Sequence, residues 1–165
     1  MSLAREIVFV SVICCAQLLT QVGLGQTIAP LQIIADSFEV TDPGQKSWFV
    51  AAYPLIVGTF ILIAGCLEDS FGHKNLLVIG YFWFGLWSLL TGVTVYSHSH
   101  VFFEVCRAMG GIGPAMMLPN AKATLGSVYP PGRRKEMIFS FFALAAPDGF
   151  VMWAVSGAMI AQLAW

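Results

Sequence analysis

The sequence predicts an all-α integral membrane protein with five transmembrane helices. Three observations lead there. Of the 165 residues, 58% are hydrophobic and only 10% are charged, with a mean hydropathy of +0.78, whereas soluble domains carry about 25% charged residues. The apolar residues fall in runs of roughly twenty or more, the length that crosses a bilayer core. Lysine and arginine are shared unequally between alternate links. The net charge of −1 says nothing about nucleic acid, but no basic patch with interleaved aromatics appears, so no nucleic-acid partner is expected.

The spans are predicted at about 7–35, 47–67, 76–96, 101–128 and 137–165. The run after Glu6 stays uncharged to Ala35, well beyond the roughly 7–15 residues of a signal-peptide core, so it reads as a retained helix. This first span is polar: Gln17, Thr20 and Gln21 share a face by helical spacing and should look inward, with Gln26 further along. Gly23, Gly25 and Pro30 should loosen or kink it. The link Asp36–Lys46, with its Pro43-Gly44 turn, reads as a short aqueous loop. Trp48 and Tyr53 near the entry of the second span read as interfacial anchors.

The third span is aromatic (Tyr81, Phe82, Trp83, Phe84, Trp87), with lipid-facing and packing roles for the rings. The link Ser97–His100 is a turn, and its His98/His100 pair has no further metal ligands nearby. The fourth span holds Glu104 and Arg107; a basic link, Tyr129–Glu136, precedes the fifth. The fifth is interrupted at Pro147-Asp148-Gly149. Cys14, Cys15, Cys66 and Cys106 lack metal-type or disulfide-framework spacing and read as buried apolar thiols.

If the spans alternate, Arg5, Lys74, Lys122, Arg133, Arg134 and Lys135 share one side and only Lys46 falls on the other. By the positive-inside rule, the N-terminus and the link between spans two and three are cytoplasmic. That link, Gly65–Asn75, packs Glu68, Asp69, His73 and Lys74 between uncharged runs. Gly65 should let the end of span two approach a neighbour, Asp69 accept backbone amides or pair with Lys74, and Gly72 take the positive φ of a tight reversal. Arg107 inside a span has two readings: an interior cation partnered by Glu104 three residues earlier, or a boundary residue snorkelling to water. Arg107, Gly111 and Ala115 share a face, which sets the cation above a small-residue seam.

The pattern Gly65-x-Leu67-x-Asp69-x-x-Gly72-x-Lys74 resembles the signature of the major facilitator superfamily between its second and third helices, with Ser70 and His73 where basic residues are usual. The resemblance implies a gating role for Gly65, Leu67, Asp69, Gly72 and Lys74. The run Arg107–Ala115, with Gly111 and Gly113, resembles the fourth-helix motif of that family, which implies proton or substrate coupling at Arg107. Phe142–Phe150 resembles the fifth-helix region of its drug:proton antiporters. There Ala145, Gly149, Gly157 and Ala161 make a helix-contact seam, into which Trp153 should wedge. Asp148 is then a proton site, a drifted position in a non-functional copy, or a residue pointing to the cavity without a role.

Together with Trp48–Leu55, Gly58-Thr59-Phe60, Pro119-Asn120-Ala121, Tyr129–Gly132 and Ala161–Trp165, these motifs resemble fungal 14-span drug:proton antiporters of the aminotriazole-resistance type over residues 20–165. Gly25 and Gln26 precede Thr27-Ile28 where many members carry an acid.

The resemblance implies that residues 1–165 form one incomplete domain, most of a six-helix N-terminal bundle of a major facilitator fold. It implies efflux of small hydrophobic or cationic substrates in exchange for protons across the bilayer, with the plasma membrane favoured over the vacuole. Spans one, two, four and five should line the cavity. Five spans alone should not transport. The alternative is a truncated paralogue acting as a regulatory subunit that associates with a full-length transporter. No cofactor is implied. The chain carries no HExxH or GxSxG motif, so an enzyme is not expected.

Overall fold

Proline and glycine decide where the helices stop. A computed structural model describes residues 3–28, 30–97 and 99–164, leaving aside the side chains of Leu3, Asp69, Val95, Ser97, Ala161, Leu163 and Ala164. His98 and Trp165 of the expected elements lie outside the described residues. Helix α1 spans Leu3–Ile28. A separate short helix, α2, spans Leu31–Ser37, so the expected single span 7–35 is two helices. Pro30 lacks an N–H to continue the ladder, and its carbonyl instead starts α2 by accepting from Ile34 N at 2.9 Å.

The link after α2 is largely exposed, as expected of an aqueous loop: Asp36, Glu39 and residues 41–45 face outward, and Val40 alone turns into the core. Glu39 adopts φ 55°, and Val40 N donates to Ala35 O at 2.9 Å, closing the helix end. Ala35, Val40 and Phe49 are buried together, with Phe38 and Phe103 against them. The ring centroids of Phe38, Phe49 and Phe103 lie 5.7–6.2 Å apart.

Helix α3 spans Pro43–Phe71, longer at both ends than 47–67. Asp42 caps its start by accepting from Gln45 N at 3.2 Å, with Pro43 in the first turn. Helix α4 spans His73–Val93 and a 3-10 turn follows at Thr94–Ser97. Ser99 caps α5, His100–Gly110; α6 spans Ile112–Val128. These two form one crossing with a break at Gly111. Helix α7 spans Arg133–Ala164 and runs unbroken through Pro147, so the expected interruption is absent. Helices in membranes tolerate an internal proline where local adjustment satisfies the freed carbonyl. The basic link also shrinks, because Arg133–Glu136 are helical.

Among the described residues, five crossings are long and apolar enough for a bilayer: Ala4–Ile28, Pro43–Glu68, His73–Val93, His100–Val128 and Arg133–Ile160. The most extensive helix pairing is α1 along α7, followed by α4 on α6. Helix α3 packs on α5 and α6. The shared core holds Ile13, Tyr53, Phe84, Met117, Leu125 and Phe142. Leu62, Phe82, Leu89 and Met152 point outward, where lipid tails are as apolar a surrounding as the core. The same indifference corrects the cysteine expectation: Cys106 is buried, but Cys15 and Cys66 are exposed and Cys14 half-buried. An apolar run in a membrane does not say which way a thiol faces.

Candidate functional site

Arg107 organises the site. The break at Gly111 lets the start of α6 press on α3: a Cβ at Gly111 would lie 2.8 Å from the Tyr53 carbonyl oxygen. Tyr53 is 1% exposed, which corrects its reading as an interfacial anchor. Its hydroxyl donates to the Thr20 carbonyl on α1 at 3.0 Å, while the Thr20 hydroxyl donates to Ala16 O at 2.8 Å. Gly23, one turn along α1, makes room for the phenol; a Cβ there would collide with the ring.

Over that ring sits Arg107. It is 4% exposed, with its guanidinium carbon 4.9 Å from the Tyr53 ring centroid. Nη2 donates to the Gly23 carbonyl at 2.6 Å. So Arg107 faces the interior and does not snorkel. Its expected partner, however, is not Glu104: no carboxylate among the described residues forms an ion pair with it. Carbonyl and ring from α1 and α3 draw Arg107 inward, while Glu104, nearer the helix start, stays half-buried.

Arg107 lines a cleft of about 230 Å³ with Gln26 and Thr27 of α1, Ile34 of α2, Ser88, Thr91 and Gly92 of α4, and Phe103 of α5. The third span therefore lines this cleft, through Ser88, Thr91 and Gly92, although it was not among the spans expected to line the cavity. Gln26 reaches this cleft. Gln21 instead packs under Gly149, and Gln17 is half-buried with its Oε1 unpartnered among the described residues.

The charged link between the second and third spans is mostly helix. Helix α3 continues to Phe71, and the reversal is carried by Gly72 alone, at φ 77° and ψ 145°. Gly72 N donates to Glu68 O at 2.9 Å, and Asn75 Nδ2 to Phe71 O at 3.1 Å, satisfying the end of α3. His73 Nδ1 lies 2.6 Å from Glu68 Oε1, a close contact outside good hydrogen-bond alignment. This contact across the turn was missed, although Glu68 and His73 are five residues apart and bracket the reversal. Leu67 is half-buried and Lys74 exposed, while the Asp69 side chain lies outside the described residues. Gly65 has open space where a Cβ would be, so no close approach is made to it among the described residues. The turn faces α6, with Phe71–Asn75, Thr124 and Ser127 around a cleft of about 280 Å³.

The glycine seams make close helix contacts. A Cβ at Gly113 would lie 2.9 Å from Gly80 O, and one at Gly149 3.1 Å from Leu18 O. Gly157 lies more loosely, 3.7 Å from the Gln26 Cα by the same measure. Trp153 does not wedge α7 away from α1, as its sequence position implies. Its side chain is 41% exposed, and Gly25 on α1 meets the α7 backbone there, with a Cβ falling 2.9 Å from Phe150 O. Asp148 is exposed, clear of the Arg107 cleft.

At the opposite end from that cleft, Glu6 accepts from Tyr129 Oη at 3.2 Å and from Arg134 Nη2 at 3.0 Å. Lys135 donates to Gly126 O at 3.0 Å. Sequence reasoning passed over Glu6, though alternating spans put it on the same side as Arg134. Among the described residues, no three of His, Cys, Asp and Glu gather to hold a metal ion.

A low affinity ammonium transporter of Saccharomyces cerevisiae is 59% identical over 164 residues, 99% of this chain and 32% of its own length. A multidrug transporter of Aspergillus fumigatus, mdr3, is 46% identical over 98% of this chain and 31% of its own. The aminotriazole resistance protein of Saccharomyces cerevisiae is 39% identical over 94% of this chain and 29% of its own. The chain thus spans about a third of the length of the curated relatives it matches. The family model described as Major Facilitator Superfamily matches residues 13–165, taking in the Gly72 reversal, the Arg107 site and the α1–α7 seam, and the chain belongs to that superfamily of membrane transporters.

Proposed function

We propose that these helices form the N-terminal wall of a small-molecule exporter driven by proton exchange. One observation carries the reading: a buried, always-protonated guanidinium, fixed by a carbonyl and an aromatic ring, lines a polar cleft between membrane-spanning helices. A fixed cation in such a place responds to whether a mobile proton or a substrate occupies the neighbouring volume, which is what exchange requires. The end bearing Glu6, the Gly72 reversal and Arg134 is cytoplasmic in this reading, from the lysine and arginine bias. Gly72 sets the angle between α3 and α4 at that end, so Gly65, Leu67, Asp69, Gly72 and Lys74 serve the gate. Alternating access is rocking of one helix bundle against another, and flux belongs to these five spans joined to further helices.

Everted plasma-membrane vesicles from cells expressing the complete reading frame provide the test. Labelled aminotriazole should accumulate when an acid-inside gradient is imposed, and collapse of the gradient should release it. Gradient-independent accumulation, or none, contradicts the reading. The same vesicles separate a second reading, ammonium passage, which the 59% identical ammonium transporter favours: labelled methylammonium would then be carried and aminotriazole would not. Co-purification of the 165-residue chain with a full-length transporter, without flux of its own, would indicate a regulatory subunit.

A further inference from the structure

Arg107 is buried and has no carboxylate partner among the described residues. An ion removed from water without compensation is costly, and arginine does not escape by losing its proton. The Gly23 carbonyl and the Tyr53 ring compensate part of that charge. The guanidinium Nε has no hydrogen-bond partner among the described residues. The rest of the polar lining of the cleft is neutral: Gln26, Thr27 and Ser88 carry groups that can donate to an anion, while the Thr91 hydroxyl already donates to the Trp87 carbonyl at 2.8 Å. Ile34 and Phe103 add an apolar wall. The volume, about 230 Å³, suits a compact molecule.

We propose that this cleft binds a small carboxylate, whose planar oxygens complete the charge and the unpaired donors of Arg107. The carboxylate is either a free small anion or the acid group of a transported apolar molecule. The second case deepens the exporter reading and rests on it; binding itself does not.

The test uses the purified chain in lipid nanodiscs and the midpoint of thermal unfolding. Sodium acetate or sodium benzoate is titrated at constant sodium and ionic strength, balanced by lactobionate, a disaccharide acid too large for the cleft. A ligand that binds only the folded state raises the midpoint saturably. Acetate and benzoate of equal apparent affinity indicate a free anion. Benzoate at least tenfold tighter indicates an acid group carried on an apolar body. Thr27→Val and Ser88→Ala should weaken the apparent affinity at least threefold with the unliganded midpoint unchanged, and Arg107→Gln should abolish the shift. No saturable shift in the unmodified chain, or one untouched by Thr27→Val and Ser88→Ala, overturns the proposal even if Arg107→Gln does not fold. Aminotriazole flux in vesicles is measured separately, so failure of the exporter reading remains distinguishable.

Discussion

Arg107 Nη2 and the Gly23 carbonyl oxygen, 84 positions apart in the chain, meet at 2.6 Å in the interior of the bundle. The contact exists because Gly23 has no side chain. The Tyr53 phenol occupies the place of its Cβ, and Arg107 lies across the phenol. Gly23→Ala should therefore destabilise. Helix propensity favours alanine by about 1 kcal/mol, but overpacking a filled position costs about 1–3 kcal/mol. Tyr53→Phe removes one of the colliding atoms, along with a hydrogen bond worth about 0.5–1.5 kcal/mol. The double variant should then lose less than the sum of the single losses, as read by thermal unfolding in detergent. Strict additivity would show that ring and glycine do not share this space.

The number of crossings was legible in the sequence because hydropathy and length alone report it. The internal arrangement was legible only where backbone chemistry forces it. Gly72 and Gly111 were found from their spacing, as a reversal and a close contact need glycine. Glu104 was expected to hold Arg107 because helical spacing puts it near. Helical spacing carries no information about α1 and α3, whose carbonyl and ring compete for the guanidinium at long range. Tyr53 was misplaced for a related reason: a tyrosine near a span entry looks interfacial until its hydroxyl is seen to reach Thr20 O. Trp153 looked like a wedge because a repeat of small residues on α7 says nothing of Gly25, which receives that helix.

The two glycines of the charged turn between α3 and α4 should behave oppositely. A Cβ at Gly65 meets nothing, so Gly65→Ala should leave stability unchanged or raise it by up to about 1 kcal/mol. Gly72 also has open space, but its φ of 77° with ψ of 145° is a conformation L residues avoid. Gly72→Ala should cost about 1–3 kcal/mol from backbone strain alone. Gly72→Asn should not rescue it, because asparagine tolerates the left-handed helical region, whose ψ is far smaller. Chemical denaturation of the four proteins compares them; an asparagine variant as stable as the unmodified chain would refute the assignment. If Gly65→Ala retains stability yet abolishes transport in the complete protein, the surface Gly65 serves lies beyond these residues.

The α1–α7 seam should respond to added volume at Gly25 and Gly149 far more than at Gly85. Added side chains would press on Phe150 O and Leu18 O respectively, whereas Gly85 faces open space. Gly25→Val and Gly149→Val should each lower stability by about 1–3 kcal/mol. They should also reduce disulfide crosslinking between cysteines introduced on the facing helices. Gly85→Val should do neither. Equal crosslinking in all three would mean the helices pair by other contacts.

The end of the bundle around Glu6 should loosen in alkali. Burial pushes the Tyr129 hydroxyl above the ordinary tyrosine range; the Glu6 charge and the hydrogen bond that the neutral phenol donates to Glu6 act the same way, with Arg134 opposing. The folded state therefore favours the neutral phenol. Its contribution to stability is complete below the ordinary tyrosine range and is lost as pH rises through the raised value. Ionisation replaces a donor to Glu6 with a second anion, which sets the start of α1 against the link between α6 and α7. Difference absorbance titration against Tyr129→Phe isolates this phenol from the other tyrosines. Glu6→Gln should shift its titration to lower pH, and Arg134→Gln to higher pH. A Tyr129 titration unmoved by Glu6→Gln would break the proposed link between these two side chains.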